Sequence, residues 1–296
     1  MLVFDIVIPT YNNLGELQKC LESLDTQTFT QFKVWIAIDG STDGTLEYLS
    51  SKRFSFPSGW LEHSDKTNHG RAATRNLALP YLTASYVLFL DSDLTVQRDF
   101  IHAHYTALSR GYVISLGQIK YKRGNIWAEY DMTRGMNRFK NNLAEIPAKY
   151  ILTGNVSMPA SLFFKLNGFD EAINTYGGED TELGCRIQKE PGVKVLFNKQ
   201  AVAEGVMDKP LSFALQQREA FAKQGLRYLL NKHPWAKDVF QINFLTSWRG
   251  KTLYHLIPRK LLMQVSENRH LPLSLRLKMV HLLVFYHLYK GYHQRD

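Results

Sequence analysis

Apolar residues along this chain fall first into two short β-rich runs, residues 3–8 and 33–38, with Leu14, Leu17, Leu21 and Leu24 between them. The leucine spacing lays one apolar stripe along a helix, so the segment reads as strand, helix, strand. A second unit follows, in which Ser41, Thr42, Asp43 and Gly44 offer helix-capping groups ahead of Leu46 and Leu49, and residues 60–62 suit a short strand. Residues 70–82 then read as a helix ending near Pro80, and 86–90 as a fully buried strand running into Asp91. Strands alternating with helices predict an α/β fold with a mainly parallel central sheet flanked by helices. Further on, 111–130 reads as strand and loop and 193–197 as a strand; after about Met207 the pattern turns helical, broken at Pro234, Pro258 and Pro272.

With 296 residues, 45% of them apolar, the chain can bury one large core, or one core and a smaller appendage. Cys20 and Cys185 lack the companion spacing of a metal site or a disulfide framework, which suits two reduced thiols in a cytoplasmic protein. No run of apolar residues is long enough to span a bilayer, and the first residues lack the layout of a signal peptide. The net charge of +9 sits almost wholly in the last third, where residues 210–296 carry 14 Lys and Arg against 4 Asp and Glu. Such a region suits an anionic membrane surface or nucleic acid. In 272–292 apolar and basic residues alternate over too short a stretch to span. The segment therefore either lies on the inner face of a membrane or docks on the domain formed by residues 1–205.

In a parallel sheet, ligands bind beyond the carboxyl ends of the strands, where loops and helix N-termini converge. Polar clusters fall at those places: Pro9, Thr10, Tyr11 and Asn12 after the first strand, Asp39, Gly40 and Ser41 after the second, Asp91, Ser92 and Asp93 after 86–90. Two carboxylates on alternate positions can share a hard divalent cation that also bridges a diphosphate. Taken alone, the same triplet also suits the N-cap of a helix starting near Val96.

Taken in order, VIPTYNN at 7–13, IDGSTDGT at 38–45, NHGRAATRN at 68–76, LFLDSDL at 88–94, TGNVSMPASLFFKLNGFDE at 153–171 and GGEDTELGCRI at 177–187 resemble the family 2 glycosyltransferases. The resemblance covers roughly residues 3–205. It implies a GT-A, Rossmann-like catalytic domain over 1–205, with a nucleotide-sugar half at 1–95 and an acceptor half at 96–205, followed by a basic helical extension over 206–296. It also implies an inverting enzyme that moves a sugar from a nucleotide-sugar donor to a glycan or lipid-linked acceptor in cell-surface polysaccharide assembly.

Residue by residue, the resemblance assigns Pro9, Thr10, Tyr11 and Asp39 to the nucleoside. Asp39 is expected to accept the imide N–H of a uracil or thymine ring. Arg71 and Arg75 are expected near the diphosphate, a structural ion pair being the alternative for either. Asp91 and Ser92 are placed near the ribose and donor, and Asp93 is expected to hold Mn²⁺ or Mg²⁺ with Asp91 beside it. Asp180 would take the acceptor proton and Glu179 orient the acceptor, with Gly154, Asn155 and Gly178 on the acceptor side and acceptor choice set by loops in 111–150. Two departures stand out. Ile38 precedes Asp39 where relatives carry a second Asp, and Ala203, Glu204 and Gly205 stand where many relatives carry a His, so Glu204 or Asp208 is the candidate replacement ligand. A sugar-nucleotide pyrophosphorylase would need a Gly-rich loop after the first strand, and PTYNN is not one. A nucleic-acid-binding protein would leave the acidic clusters unexplained, so no nucleic-acid partner is expected.

Overall fold

The computed structural model describes residues 2–111, 113–121, 125–134, 138–174, 176–239 and 242–294. The chain forms two compact units. The first comprises residues 1–121, 136–174 and 179–206, and the second 122–135, 175–178 and 207–296. The region 111–150, expected to carry acceptor loops, is thus shared between them, and its residues 112, 122–124 and 135–137 lie outside the described residues.

In chain order the elements of the first unit start with β1 (Phe4–Thr10), α1 (Leu14–Leu24), β2 (Phe32–Ile38), α2 (Thr45–Ser51), β3 (Ser58–Glu62) and α3 (Arg71–Asn76). β4 (Tyr86–Leu90), β5 (Leu94–Val96), α4 (Phe100–Leu108) and β6 (Val113–Tyr121) follow. The chain then makes α5 (Ile126–Met132), which belongs to the second unit, and returns with β7 (Ala144–Ile146), β8 (Asn155–Pro159), α6 (Ala160–Lys165), α7 (Glu179–Ile187) and β9 (Lys194–Gly205).

Among the described residues one mixed sheet runs β3-β2-β1-β4-β8-β6-β9-β5, with β7 also on β9. The half formed by β3, β2, β1 and β4 is parallel, as the sequence predicts. β8 enters antiparallel to both β4 and β6, and β6 is parallel to β9, so the expected mainly parallel sheet gives way to a mixed one beyond β4. Alternation along each strand divides the core between the two faces. Ile6 and Ile8 of β1 and Leu88 and Leu90 of β4 pack with Leu17, Leu21 and Phe100. Val7, Val87 and Phe89 face Leu162, Phe163 and Leu183 on the other side. Val96, expected near a helix start, instead ends β5, which pairs antiparallel with β9, and the helix begins at Phe100. The Asp91-Ser92-Asp93 triplet therefore leads into a strand and caps no helix.

The second unit adds α8 (Leu211–Lys223), α9 (Gly225–Lys232), α10 (Ala236–Val239), α11 (Asn243–Thr246), α12 (Trp248–Leu256), α13 (Arg259–Glu267) and α14 (Leu273–His293). Val280 and Leu283 of α14 share a core with Trp127, Tyr130, Leu211, Leu215, Ile257 and Leu262. A Cβ on Gly291 would stand 2.1 Å from the carbonyl oxygen of Glu219, so glycine is what lets α14 lie against α8. The apolar side of α14 is used inside its own unit, which decides neither of the two expectations for 272–292. No helix among the described residues is long and apolar enough to cross a membrane.

Candidate active site

The loops at the carboxyl ends of β1 and β2 are stitched to each other. The Asp39 N–H donates to Thr10 O (2.9 Å), the Asn12 N–H to Ser41 Oγ (3.0 Å), and the Thr42 N–H to Asn12 Oδ1 (2.8 Å). Asn12 adopts φ +45°, a left-handed conformation that asparagine tolerates, and this turns the chain into α1. Asp43 accepts from the Leu14 N–H at 2.8 Å, anchoring the first residue of that helix, and Asn13 Nδ2 donates to Ser92 Oγ at 3.3 Å. Tyr11 stays 51% exposed beside this seam, while Thr10 Oγ1 is buried without a hydrogen-bond partner.

Asp39 is buried, and each of its oxygens accepts one backbone N–H: His69 at 2.7 Å and Gly70 at 3.1 Å. It thereby fixes the loop that delivers α3. His63 Nε2 stands 3.5 Å from the same carboxylate, and its ring stacks on His69 at 4.2 Å between centroids. Burial and the neighbouring His69 lower the pKa of His63, outweighing Asp39.

At the end of β4 the Asp91 N–H donates to Gly154 O at 3.1 Å, joining the triplet to the turn that opens β8. A Cβ on Gly154 would lie 2.7 Å from Asp91 Oδ2, so only glycine leaves room for this carboxylate. Arg75 Nη2 donates to Asp91 Oδ1 at 2.8 Å, and Arg75 Nη1 stands 3.6 Å from Glu179 Oε1. The guanidinium is almost wholly buried, stands 5.5 Å from the Phe169 ring centroid, and leaves Nε and Nη1 without hydrogen-bond partners. One cation thus bridges the end of β4 and the start of α7. Next to Glu179, Asp180 accepts a short hydrogen bond from the Thr153 hydroxyl. Burial pushes the Asp180 pKa up to about 7 and the adjacent negative charge of Glu179 adds to this, against the opposing pull of Arg75 and Thr153. Asp93 is exposed. Cys20 lies beneath, its Sγ 4.0 Å from Asp91 O, and burial together with Asp93 and Asp91 raises its thiol pKa.

The arrangement has relatives. The sequence profile described as "Glycosyl transferase family 2" matches residues 5–166, more than half of the chain. This chain is a family 2 glycosyltransferase. A second profile, described as "N-terminal domain of galactosyltransferase", matches residues 133–207. Glycosyltransferase GlyA of Streptococcus pneumoniae is 35% identical over 108 residues, covering 36% of this chain and 15% of its own. Chondroitin synthase of Pasteurella multocida is 25% identical over 217 residues, covering 62% and 22% respectively. The chain thus spans less than a quarter of the length of these two relatives. Among solved structures, the mannosyltransferase PcManGT from Pyrobaculum calidifontis, in complex with GDP-Man and Mn²⁺, superposes with a TM-score of 0.63 at 16% identity, covering 99% of this chain and 88% of that one. S. aureus TarS 1–349 in complex with UDP-GlcNAc gives 0.59 at 18% identity, with 98% and 90% covered. At such identities the likeness shows the fold, which is GT-A.

The glycosyltransferase corrects several sequence-based expectations. Asn155, expected on the acceptor side, is fully buried: its Nδ2 donates to Gln118 O (3.2 Å) and Ala201 O (3.0 Å), and its Oδ1 meets His104 Nε2 at 2.9 Å. Burial lowers the His104 pKa to about 4, so the ring is neutral, giving its Nε2–H to Asn155 and accepting from the Ser115 hydroxyl at Nδ1. This network pins β8 inside the sheet. Glu179, expected to orient the acceptor, has a side chain only 4% exposed and faces Arg75. Arg75, expected at the diphosphate, is enclosed between two carboxylates, whereas Arg71 is exposed at the first turn of α3. Glu204 lies in β9 opposite Thr95, with Oε1 3.5 Å from Gln97 Nε2, and Asp208 is exposed in the second unit. Gly178 takes φ +110° immediately before α7, a backbone state that favours glycine. Thr153 was missed, although it directly precedes the Gly154 and Asn155 singled out by the resemblance.

Among the described residues no three His, Cys, Asp or Glu side chains converge as a metal cage. The Asp91 and Asp93 carboxylates after β4 are hard ligands of the kind that fit Mn²⁺ or Mg²⁺, ions that keep waters and share their coordination with phosphate oxygens rather than demanding an all-protein shell.

Proposed function

We propose that this glycosyltransferase takes its sugar from a UDP-sugar and passes it, with inversion, to a hydroxyl of a glycan or lipid-linked acceptor in cell-surface polysaccharide assembly. The observation that carries the reading is the Arg75 bridge, which ties the Asp91 carboxylate to Glu179 and so sets the Asp180 carboxyl beside the donor-side triplet. Residues 1–95 hold the donor and 96–205 present the acceptor. Tyr11 offers a ring to the base, and Asp39 accepts the imide N–H of uracil. The basic 206–296 segment supports a working place on the anionic inner face of a membrane, with no part for nucleic acid.

Asp93 and Asp91 would hold Mn²⁺ or Mg²⁺ together with the diphosphate. When bound, the ion neutralises the charge that gathers on the leaving group. Exposed Arg71 can add a cation to the same phosphates. Asp180 then acts as general base. The acceptor oxygen forms its bond to the anomeric carbon as the bond from that carbon to the phosphate oxygen breaks. The electron pair leaves with the nucleoside diphosphate, and the acceptor proton passes to the Asp180 carboxylate. A proton affinity near neutrality is what such a base needs, since it must be ionised at rest yet able to bind a proton as the reaction proceeds. Glu179 keeps that affinity high through its charge, and Thr153 holds the carboxyl in one orientation.

The test is nucleotide release from UDP-, dTDP- and GDP-sugars with Mn²⁺ or EDTA, in wild type and Asp93→Ala, alongside thermal shift with each nucleotide. Metal-dependent release from one UDP-sugar, lost in Asp93→Ala, supports the donor assignment. Response to GDP-sugars alone would replace uracil by guanine, and stabilisation by no nucleotide with metal would remove the assignment.

A further inference from the structure

In the second unit, α12 is packed along one side and bare along the other. Ser247 opens the helix by accepting the Gly250 N–H at 3.1 Å. A Cβ on Gly250 would stand 2.1 Å from the carbonyl oxygen of Phe244, so this side lies against α11. The Tyr254 ring stacks on Tyr286 and Tyr289 at 4.7 and 4.6 Å between centroids, and Ile257, just past the helix, joins the core of the unit. With its inner side held at these points, the outer side has a fixed direction. Trp248, Thr252 and Leu256 follow one another there at four-residue spacing, one stripe of a helix. Trp248 is 72% exposed and Leu256 71%, the two most exposed large apolar side chains among the described residues.

The charges around this stripe are of one sign. From Asn243 to Ser266 the chain has no Asp or Glu and carries Arg249, Lys251, Arg259 and Lys260. By helical phase Arg249 flanks the stripe on one side and Lys251 with His255 on the other, and all three are exposed. The Arg249 guanidinium stands 5.5 Å from the Trp248 ring centroid, which keeps a cation at the edge of the apolar surface. The first turn of α13 repeats the combination, with exposed Arg259 and Lys260 beside Leu261, 55% exposed. Singly exposed apolar residues are ordinary, but an apolar stripe rimmed by cations is the layout of a helix lying in a membrane interface. Tryptophan suits that depth, its ring among acyl chains and its N–H toward water. A second copy of this chain would set like charges face to face, with no acid in 243–266 to offset them. Nucleic acid would match the cations but offers no apolar layer for Leu256 and Leu261. An anionic bilayer supplies both.

We propose that the outer side of α12, with Trp248 and Leu256 at its centre and Arg249 and Lys251 at its rim, is the surface by which this glycosyltransferase lies on an anionic lipid bilayer. The inference rests on the membrane working place given under the proposed function and names the side chains that make the contact. Trp248 and Leu256 enter the boundary between headgroups and acyl chains, while Arg249 and Lys251 meet the lipid phosphates, the guanidinium through its paired donors.

The experiment sediments the full chain with vesicles of phosphatidylcholine alone and of phosphatidylcholine with phosphatidylglycerol. Wild type, Trp248→Ser/Leu256→Ser and Arg249→Gln/Lys251→Gln are compared. Wild-type binding is expected to need phosphatidylglycerol and to fall with added salt. The apolar pair should weaken it at least about tenfold, which burial of one large apolar side chain already supplies. The cation pair should weaken it about 25-fold, since each cation near an anionic surface is worth about fivefold. Unfolding midpoints and nucleotide release from a UDP-sugar should match wild type in both variants, because the four side chains are exposed and lie in the second unit. Comparison with Trp248→Phe isolates this ring from the other tryptophans: its emission should shift to the blue on vesicles and be quenched by brominated acyl chains. Vesicle binding that survives in both paired variants overturns the assignment of α12 and leaves the membrane working place standing. Absence of binding to anionic vesicles by wild type that still releases nucleotide overturns both and leaves the transferase intact. Self-association of wild type that is lost in Trp248→Ser would give the face to a second copy and overturn the proposal as well.

Discussion

Replacing Arg75 by Met would keep most of the aliphatic stem and remove the cation that bridges Asp91 and Glu179. Glu179, with its side chain 4% exposed, would be left as an uncompensated buried charge, a situation that costs about 3–5 kcal/mol. Asp91 has a side chain 32% exposed and can take up water, so its share is below about 1 kcal/mol. Loss of the contact with the Phe169 ring adds about 0.5–2 kcal/mol. Against these stands the relief of Nε and Nη1, which lack hydrogen-bond partners and whose burial costs about 1–3 kcal/mol. The balance is a loss of about 3 kcal/mol, measured by urea unfolding followed through tryptophan fluorescence. The cause can be isolated by a cycle: adding Glu179→Gln to Arg75→Met should restore at least about 1.5 kcal/mol, whereas Glu179→Gln alone should destabilise, because Arg75 then loses a partner. A single variant within about 1 kcal/mol of wild type, or Glu179→Gln destabilising equally in both backgrounds, would refute the bridge as the organising contact.

Asp180→Asn should lower transfer by about 10²–10⁴-fold while leaving donor affinity unchanged, and a comparable loss of donor binding would argue against its role as base. With the Asp180 pKa near 7, transfer by wild type should rise with pH and level off above about 7, because the base works deprotonated. In Glu179→Gln that limb should move to lower pH, since the Glu179 charge raises the pKa; an unmoved limb would assign it to another group. Gly154→Ala sets a methyl 2.7 Å from Asp91 Oδ2 and must turn that carboxylate away from Arg75, so stabilisation by nucleotide with Mn²⁺ in thermal shift should fall, and an unchanged shift would show Asp91 to be dispensable. Asn155→Leu strands His104, Gln118 O and Ala201 O inside the sheet and should cost about 2–4 kcal/mol in urea unfolding; a change under about 1 kcal/mol would contradict the network described.

The parallel half of the sheet is legible in the sequence because its strands are short unbroken apolar runs with a periodic helix between them. β8 is not, since NVSMP carries polar side chains whose partners, His104 and Val87 among them, lie far away in sequence. β9 looks finished at Phe197 because Asn198, Lys199 and Gln200 interrupt the apolar pattern, yet these residues form an irregularity after which the strand resumes its pairing with β6. For the candidate site, motif order brings forward Asp91, Asp93 and Asp180 as expectations but does not reveal which way a charge faces. Arg75 finds Asp91 16 positions later and Glu179 beyond α6, and those distant partners turn an expected phosphate contact into an internal brace.

The place of β8 between β4 and β6 also has a consequence for biosynthesis. β4 gains its second hydrogen-bonded neighbour only when residues 155–159 have been made, long after β1, β2 and β3 can assemble. As the chain leaves the ribosome, the apolar strand Tyr86–Leu90 therefore waits as an open edge while some 65 further residues are added, about 3–13 s at 5–20 residues per second. Such an edge is a template for pairing between chains, so fragments ending between residues 95 and 150 are the ones that should aggregate. Those reaching past Pro159 close the edge with their own backbone.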